Sequence, residues 1–507
     1  MTTPVRRALV SVFYKDNLEP IIRLLGENKV EFVSTGGTQE FIEKLGYPVV
    51  PVEKLTGYPS IFGGRVKTLH PAVFGGILYR REDATDVKQA NEFKIGPIDL
   101  VIVDLYPFEE TVAKGGTEDE IIEKIDIGGI ALIRGAAKNF NDVLIVSSRN
   151  QYSGVLELLK AKQCATDLAD RKRFAAMAFD VTSHYDGAIF AYFNREQKMP
   201  TLKASYQSGV PLRYGENPHQ KGTFFGDLAG MFEQVNGKEL SYNNLVDVDA
   251  AIQLIDEFAQ EPAFVIVKHT NACGVATGAT VKEAYAKAFQ ADTVSAFGGV
   301  LATNREVDLA AAEQINSLFF EILAAPGFSS EALQLLKSKK NRILLVQRQP
   351  IRKGKQIKSL LNGILEQEHD WKTDSIEDLK PVTRRKPTQT EINALLFASK
   401  VCKHTKSNTI ILAVEGQLLS SGLGQTSRVD ALKQAIEKAR SFGFSLEGAA
   451  MASDAFFPFP DCVEIASQHG IKAIIQPGGS IKDQDSIDAC DRHNMAMVFT
   501  GFRHFKH

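Results

Sequence analysis

The stretch FVIVKHTNACG, residues 264–274, decides how the second half of the chain is expected to fold. Four apolar residues lead directly into Lys268 and His269, as they would at the end of a buried strand. In a continuous strand these two neighbouring side chains would point to opposite faces of the sheet. They can serve one site only if the strand ends there and the chain turns, and the following TNACG contains the Asn and Gly that turns favour.

Short β-branched runs alternate with helical patterns on both sides of this stretch. In the N-terminal part, the predicted strands are 8–12, 31–35, 99–105 and 142–148. In the C-terminal part, strands are predicted at 264–268, 408–414 and 473–477, and helices at 281–291, 310–325 and 429–441. This alternation predicts an α/β fold, in which helices pack on parallel sheets and ligands bind beyond the carboxyl ends of the strands.

The polar, proline-containing stretch NREQKMPTLKASYQSGVP, residues 194–211, is the predicted domain boundary. We therefore expect a first domain at 1–195, a linker at 196–210 and a second domain at 211–507. The second domain is predicted to contain two α/β subdomains, joined by a basic and irregular connector at about 347–387.

The composition indicates a globular protein of several domains. The chain has 507 residues, of which 44% are apolar and 24% charged. A formal net charge of −2 gives no electrostatic reason to expect a nucleic-acid partner. The apolar runs are too short for a membrane helix, and the first residues do not resemble a signal peptide. The five cysteines are scattered without a C-x-x-C pair, which argues against disulfides and structural zinc and favours a cytoplasmic location.

Two glycine-containing stretches of the first domain predict an anion site. STGGT (34–38) lies between a predicted strand and a predicted helix, where hydroxyls meet the free N–H groups of the first helical turn. In GGRVKTLHP (63–71), Arg65, Lys67 and Thr68 are phosphate-compatible groups. The Walker A spacing is absent, so no ATPase is predicted. A capped turn and a solvated basic loop explain the two stretches about as well.

Further candidates follow in the same domain. Asp104 and Tyr106 come at the end of a predicted strand, and Asp126 precedes a helical run that ends near Lys138. Asp126 could equally be a helix cap, and Lys138 a lysine that complements the helix dipole. If one unbroken helix joined them, the two ends would be about 18 Å apart, so one site could use both only if the helix breaks or the chain folds back.

His269 has a structural alternative, because a lone histidine at a strand end commonly plays no chemical role. The adjacent Lys268, the nearby Asn271 and a second polar loop with His219 favour proton transfer instead. A neutral imidazole accepts a proton, and a neighbouring ammonium disfavours its charging. Zinc is a rival explanation, but the deaminase pattern H-x-E…P-C-x-x-C is absent, so no metal is predicted.

Taken together, the motifs resemble those of one family. In chain order they are STGGT, GRVKTLHP, LYPF, IDIGG…AAKN, LRYGENPHQ, GKELSYNNL, VKHTN, SAFGG, SNTI, GQTSRVDA, SDAFFPF, IQPGGS and RHFKH. The series is similar to that of the bifunctional purine-biosynthesis enzymes, which combine 5-aminoimidazole-4-carboxamide ribonucleotide (AICAR) formyltransferase with inosine monophosphate (IMP) cyclohydrolase. Matches run from residue 8 to residue 507 and leave only the connector thinly covered.

The resemblance implies two reactions and a fold for each half. The C-terminal half would transfer a formyl group from the cosubstrate 10-formyltetrahydrofolate to AICAR, and the N-terminal half would close formyl-AICAR to IMP. The first domain would be methylglyoxal-synthase-like, followed by two cytidine-deaminase-like subdomains without zinc. A homodimer with formyltransferase sites at its interface is also implied, with no nucleic-acid or membrane partner.

The resemblance also implies roles for particular residues of the second domain. His269 would be the acid/base of formyl transfer, Lys268 its partner, and Asn408 would orient the formyl group or the nucleotide. Residues expected to hold the nucleotide are Arg213, Tyr214, His219, Gly298, Glu321, Arg428 and Arg503. Residues expected on the folate side are Phe297, Val429, Phe456, Pro458, Phe459, Asp461 and Ser480.

For the cyclohydrolase, the resemblance makes Lys138 the general acid/base, with Lys67, Tyr106 and Asp126 beside it. Residues expected to cradle the nucleotide and its phosphate are Lys15, Ser34, Thr35, Gly36, Gly37, Thr38, Arg65, Thr68 and Asp104.

The chain departs from the family pattern at several positions. Phe13 and Tyr14 stand where the family has a hydroxyl and a carboxylate, and Asp104 replaces an amide. Phe140 stands for a histidine, and Cys462 for an amide on the folate side. None of these removes a proposed catalytic group, but they bear on how substrate is bound.

Two alternatives remain at this stage. A non-catalytic nucleotide sensor could use the same STGGT turn, but it would not need Lys138 or the Lys268–His269 pair. The basic stretch 347–359 could attract the polyglutamate tail of a folate, although a solvated connector explains its composition more simply.

Overall fold

A computed structural model describes residues 2–62, 65–351 and 354–507. The chain forms two compact units that divide between Ser208 and Gly209. Across these described ranges, none of the helices combines the length and the apolar character that crossing a membrane requires.

The N-terminal unit is built on a five-stranded parallel sheet in the order β4-β3-β2-β5-β6, while β1 and β7 pair separately. The strands are β1 Thr3–Pro4, β2 Arg7–Ser11, β3 Glu31–Ser34, β4 Val49–Pro51, β5 Leu100–Val103, β6 Leu144–Val146 and β7 Ala165–Thr166. The predicted parallel sheet is thus confirmed. The short edge strand β4 escaped the sequence analysis because three residues carry too little periodicity to recognise.

Helices cover both faces of this sheet. They are α1 Glu19–Glu27, α2 Gly36–Lys44, α3 Val52–Thr56, α4 Pro71–Leu78, α5 Ala84–Glu92, α6 Phe108–Ala113, α7 Glu118–Ile122, α8 Gly128–Lys138, α9 Tyr152–Ala161 and α10 Leu168–Gln197. Alternate residues of one strand enter different cores: Val10 packs with α1 and α9, and Leu9 with α4 and α8. Each fully buried aliphatic side chain of this kind contributes about 1.5–3 kcal/mol.

The C-terminal unit contains a twelve-stranded sheet in the order β10-β15-β14-β13-β11-β12-β20-β19-β21-β22-β23-β18, and the pairs β8–β9 and β16–β17 stand apart from it. Its strands are β8 Gly209–Pro211, β9 Thr223–Phe225, β10 Phe232–Asn236, β11 Ala263–Lys268, β12 Asn271–Thr277, β13 Val300–Thr303, β14 Ile322–Ala325, β15 Ile343–Gln347, β16 Lys355–Leu360, β17 Gly363–Glu368, β18 Lys380–Pro381, β19 Ile410–Val414, β20 Gln417–Gly422, β21 Ala450–Ser453, β22 Ala473–Gln476 and β23 Ala496–Phe499.

The helices of this unit are α11 Leu228–Met231, α12 Tyr242–Ile255, α13 Val281–Gln290, α14 Leu309–Ile315, α15 Ser330–Leu336, α16 Gln389–Lys403, α17 Arg428–Ser441, α18 Asp461–Gln468 and α19 Asp483–Arg492. The order of the strands repeats: the hairpin β11–β12 continues into β13, β14 and β15, as β19–β20 continues into β21, β22 and β23. The halves meet where β12 pairs with β20. One core, which includes residues of α12 and α16, is shared by both halves, and each half has a second core of its own.

The chain turns directly after Lys268, as the sequence predicts. Lys268 pairs with Asn271, and the two residues between them, His269 and Thr270, have φ angles of 54° and 65°. Positive φ at both central residues is the signature of a type I′ hairpin turn. A β-branched residue is strained in this region, so the contact from the Thr270 amide to Asp247 Oδ1, at 2.7 Å, helps to fix the turn.

One predicted helix is wrong. Residues 310–325 form α14 only as far as Ile315, and the apolar end of the run becomes the buried strand β14. A short continuous apolar run satisfies a buried strand and a buried helix equally well, so periodicity could not separate them. The connector is also less irregular than expected, because residues 355–368 form the hairpin β16–β17, although Arg352 and Lys353 lie outside the described residues.

Two candidate active sites

A cavity of about 730 Å³ opens at the carboxyl ends of β2, β3 and β5 in the N-terminal unit. Its size is typical of a small-molecule site. The predicted residues that line it are Lys15, Thr35, Gly36, Gly37, Thr38, Arg65, Lys67, Thr68, Asp104, Tyr106 and Asp126. The parallel sheet explains the grouping, because chain segments far apart in sequence leave their strands at the same edge.

The β3–α2 turn has the geometry of an anion site. Gly36 has a φ of 45°, and a Cβ added there would lie 3.2 Å from the Lys67 ammonium nitrogen. The free N–H groups at the start of α2 and the Lys67 ammonium therefore flank the same turn. Ser34 does not line the cavity: its buried hydroxyl donates to the Val10 carbonyl at 2.6 Å and so supports the turn from behind.

The acids of the cavity are partly removed from water. Burial raises the pKa of Asp126, against the opposing effect of the Gly129 amide that donates to its Oδ1 at 2.6 Å. Burial also raises the pKa of Tyr106, and the charge of Asp126 adds to that effect. Both groups therefore hold a proton more readily than in water, which suits exchange with a bound substrate. The Gly129 contact shows that Asp126 also caps the start of α8.

Lys138 is not beside these groups. It ends α8, which runs without a break from Gly128, so about 15 Å of helix separates Lys138 from the Asp126 end. Lys138 instead lines a separate groove with Phe74, Phe140, Lys172 and Phe179. The predicted grouping of Lys138 with Lys67, Tyr106 and Asp126 is therefore not formed within one chain, because the helix neither breaks nor folds back.

The turn after β11 defines the second site. The Lys268 ammonium donates to the Phe297 carbonyl at 2.7 Å, while the His269 side chain is exposed. Asn271 Oδ1 accepts the Lys406 amide at 3.2 Å, which brings the turn next to the segment that contains Asn408. The turn that contains the lysine and the histidine thus lies beside the segment of the predicted asparagine.

Asn408 is held through its amide group. Its Nδ2 donates to the carbonyls of Gln425 and Thr426, at 3.0 and 3.2 Å. Its Oδ1 is consequently the atom available to accept a hydrogen bond from a ligand. The adjoining glycine turn places Gly298 directly after Phe297, and the Gly298 amide donates to the Phe319 carbonyl at 2.8 Å.

The predicted nucleotide-binding residues form several local groups. In the loop after β8, the Arg213 guanidinium lies 4.7 Å from the ring centre of Tyr214, and His219 is exposed. Glu321 is paired with Lys238 at 2.8 Å, at the start of β14. These groups remain on the surface of the unit, accessible to a polar ligand.

Arg428 and Arg503 are connected by the C-terminal tail. Arg428 Nη2 lies 3.0 Å from Oδ1 of the buried Asp454, and the His504 amide donates to the carbonyl of that same residue. The Arg503 guanidinium lies 4.3 Å from the ring centre of Phe505, and the Arg428 guanidinium lies 5.8 Å from the same ring centre. The tail therefore holds both guanidinium groups around one aromatic ring.

The predicted folate residues present an apolar surface. Phe456, Pro458 and Phe459 are exposed, and the Lys482 ammonium lies 4.6 Å from the ring centre of Phe459. Other predicted members are Phe297, packed on Phe319; Val429, partly buried in α17; Asp461, at the start of α18; and Ser480, beside Asp483. Cys462, which replaces an amide of the family pattern, is buried and therefore lies beneath this apolar surface.

Asp247 is a functional candidate that sequence reasoning missed. It accepts the Thr270 amide, and its charge interacts with His269. Burial raises the pKa of Asp247, and the histidine and the amides of the turn oppose that effect. Its segment VDVDAA carries no spacing that marks one carboxylate from the others, and only the tertiary contact identifies it.

Comparisons with known proteins identify the family of the chain. A family model for the AICARFT/IMPCHase bienzyme matches residues 136–438, and an MGS-like domain model matches residues 17–131, which confirms the expected methylglyoxal-synthase-like first domain. The bifunctional purine biosynthesis protein PurH of Bacteroides thetaiotaomicron is 57% identical over 503 residues, 99% of each chain. The proteins of the same name from Chlorobium chlorochromatii and Aquifex aeolicus are each 46% identical, over at least 99% of both chains. The chain therefore belongs to the AICARFT/IMPCHase bienzyme family, enzymes of purine biosynthesis that combine AICAR formyltransferase with IMP cyclohydrolase.

Proposed function

We propose that the two reactions are divided between the units. The C-terminal unit transfers the formyl group of 10-formyltetrahydrofolate to AICAR, and the N-terminal cavity closes formyl-AICAR to IMP. The observation that carries the first assignment is the type I′ turn, which presents Lys268 and His269 together beside the Asn408 segment. The second rests on the cavity that joins an anion turn to buried acids.

Formyl transfer requires two proton movements. The exocyclic amine of AICAR attacks the formyl carbon and loses a proton, while the folate nitrogen gains one as its bond to that carbon breaks. His269 is placed to carry the proton, and Lys268 stabilises the negative charge on the tetrahedral oxygen. Asp247 holds the turn that carries His269, because it accepts the Thr270 amide at 2.7 Å.

The flanking groups supply binding. Arg213, Arg428 and Arg503 are guanidinium groups suited to the phosphate and carboxamide oxygens of AICAR. The exposed ring of Phe459 and the neighbouring Lys482 suit the flat, partly anionic folate. We further propose that a second copy of the chain completes this site in a homodimer, which the open position of these aromatic and cationic groups supports.

Ring closure is intramolecular. The carboxamide nitrogen attacks the formyl carbon and loses a proton, and the former carbonyl oxygen gains one to give a carbinolamine. That oxygen then gains a second proton and leaves as water, while the formamide nitrogen loses its proton and the ring C=N bond forms. Holding the two groups in contact supplies much of the acceleration. We place the 5′-phosphate at the start of α2 beside Lys67, where N–H groups and an ammonium meet, and assign the proton transfers to Tyr106 and Asp126. Lys138 can join this cavity only from a second copy.

The division of labour is tested with His269→Ala. We expect formyl transfer, measured as release of tetrahydrofolate from AICAR and 10-formyltetrahydrofolate, to fall by at least a hundredfold, as expected for loss of a general acid/base. Ring closure of supplied formyl-AICAR should stay near the wild-type rate. His493→Ala, at an exposed histidine outside the proposed site, is the matched control.

Loss of both activities in a folded His269→Ala protein would contradict two independent sites. Absence of tetrahydrofolate release from the wild-type protein would refute the transferase assignment itself.

A further inference from the structure

Asp104 does not present its carboxylate to the cavity as a ligand would. One carboxylate oxygen accepts the backbone amide of Phe13, and the other accepts the amide of Tyr14 at 3.0 Å. The side chain is nearly fully buried, and burial raises its pKa while both amides oppose that effect. Asp104 therefore fixes the backbone that follows β2, at the edge of the cavity in which the sequence predicts that it contacts the nucleotide.

The two aromatic residues held by Asp104 face different surroundings. Tyr14 donates its hydroxyl to Glu110 at 2.9 Å, and the Arg149 guanidinium covers its ring at 4.3 Å. Phe13 lines the cavity and remains 41% exposed. Only Phe13 is thus free to contact a ligand inside.

Phe13 and Tyr106 form one wall of the cavity. Their ring centres are 5.6 Å apart in an edge-to-face arrangement, and the Lys124 ammonium lies 5.7 and 6.0 Å from them. The cavity therefore contains a cationic, N–H-rich part at the start of α2 and an aromatic part at the end of β2. A nucleotide has the matching parts, a phosphate and a flat heterocycle.

We propose that Phe13, positioned by Asp104, packs against the heterocycle of the nucleotide in the ring-closing cavity and favours its planar conformation. This inference rests on the proposed function of the cavity. Closure requires the formamide to lie in the plane of the imidazole next to the carboxamide, and packing on the flat ring of Phe13 stabilises that planar arrangement more than a twisted one. Phe13 is thus a substrate-contacting residue, and Asp104 is a positioning residue.

The choice of an aspartate is explained by the two amides. A carboxylate offers an acceptor oxygen to each N–H group, whereas an asparagine would turn an NH₂ group towards one of them. An asparagine therefore loses one contact and leaves a backbone amide facing a donor. The aspartate at position 104 therefore fixes the backbone from which the aromatic ring at position 13 enters the cavity.

The test measures ring closure of supplied formyl-AICAR in full-length variants. We expect Phe13→Leu, which keeps apolar volume but removes the ring, to raise KM and lower kcat, with kcat/KM reduced roughly two- to tenfold, the range of one aromatic contact. Phe13→Tyr, which keeps the ring, should lose less of kcat/KM than Phe13→Leu. Phe93→Leu, at a ring 68% exposed and away from the cavity lining, is the matched control.

Asp104→Asn tests positioning. If the aspartate acts through Phe13, its effect on kcat/KM should largely disappear when Phe13 is already leucine, so the double variant is non-additive. Additive losses would overturn the positioning role. Formyl transfer in the same samples should be unchanged, because its proposed site lies in the C-terminal unit, and circular dichroism checks that the N-terminal unit is folded.

Phe13→Trp gives a readout that does not depend on turnover. The chain has a single tryptophan, Trp371, so the new indole adds a distinct emission. Titration with IMP should quench or shift that emission, and Phe93→Trp should respond little. An unchanged emission on IMP binding, together with wild-type kinetics in Phe13→Leu, would overturn the inference. A wild-type protein that does not close formyl-AICAR would instead overturn the proposed function.

Discussion

His504 is a buried cation whose two carboxylate partners come from the connector. Its Nδ1 lies 2.6 Å from Asp370 Oδ2, and its Nε2 lies 3.5 Å from Asp374 Oδ2, so the second contact acts mainly through charge. Burial alone would lower the pKa of His504, but the carboxylates outweigh it and raise the pKa to about 9. The charged tail is therefore anchored next to Arg503 at neutral pH.

This predicts a pH-dependent stability of the C-terminal unit. Because the folded pKa exceeds the unfolded value of about 6.5, the stabilisation is complete below pH 6.5 and is lost as the pH rises towards 9. His504→Asn should cost on the order of 2–3 kcal/mol at pH 6 and little at pH 10. Urea unfolding followed by Trp371 fluorescence measures the free energy of unfolding. An equal loss of stability at both pH values would contradict a stabilising charge on His504.

Sequence reasoning at this scale identified residue types better than residue roles. It placed Lys67 and Tyr106 at the N-terminal cavity, because each follows a strand or a glycine turn at the same sheet edge, and the family resemblance added Lys15. It could not show that the Asp104 carboxylate accepts hydrogen bonds from the backbone amides of Phe13 and Tyr14, which lie 91 and 90 positions away in sequence. Hydrogen bonds between distant segments leave no local pattern.

At the scale of elements, each half-sheet requires a glycine in the second strand of its hairpin. A Cβ added at Gly274 in β12 would overlap the Ala288 carbonyl of α13, and one added at Gly422 in β20 would overlap the Ala431 carbonyl of α17. In each half the helix thus approaches the second strand of the hairpin so closely that only a residue without a side chain fits.

We therefore expect Gly274→Ala and Gly422→Ala each to destabilise the C-terminal unit by about 3 kcal/mol or more, because the obstacle is backbone rather than a flexible side chain. Thermal unfolding of the purified variants measures this. Gly363→Ala, where an added Cβ meets nothing within 4 Å, is the control. Wild-type stability of either core variant would show that helix and strand can separate at little cost.

Elements also show where sequence patterns stop being decisive. The parallel sheet of the first unit and the turn after Lys268 were predictable, since β-branched runs and turn residues mark them locally. The change from α14 to β14 was not, because both are apolar and buried. Nor could periodicity show that α8 is unbroken, which decides where Lys138 can act.

At the scale of the whole molecule, the position of Lys138 bears on assembly. If Lys138 takes part in ring closure, it must come from a second chain, because its own cavity lies at the other end of α8. In a symmetric dimer each cavity would then combine Asp126 of one copy with Lys138 of the other.

Mixing two inactive variants tests this arrangement. Lys138→Ala and Asp126→Asn should each let formyl-AICAR accumulate. When they are co-expressed, mixed dimers contain one intact pair, so ring-closing activity should recover to about a quarter of the wild-type value. Lys138→Ala protein mixed with itself is the control. No recovery in confirmed mixed dimers would exclude sharing, and full activity of Lys138→Ala alone would remove the lysine from the reaction.

The shared core of the C-terminal unit has a consequence for cooperativity. The two half-sheets meet along a thin backbone seam, described by the single pair Ala276–Gln417, yet α12 and α16 belong to one apolar layer that spans both halves. If one half unfolded alone, the part of this apolar layer that belongs to the other half would become exposed to water. Heating is therefore expected to give one calorimetric transition for residues 209–507, with equal calorimetric and van't Hoff enthalpies, despite the duplicated architecture.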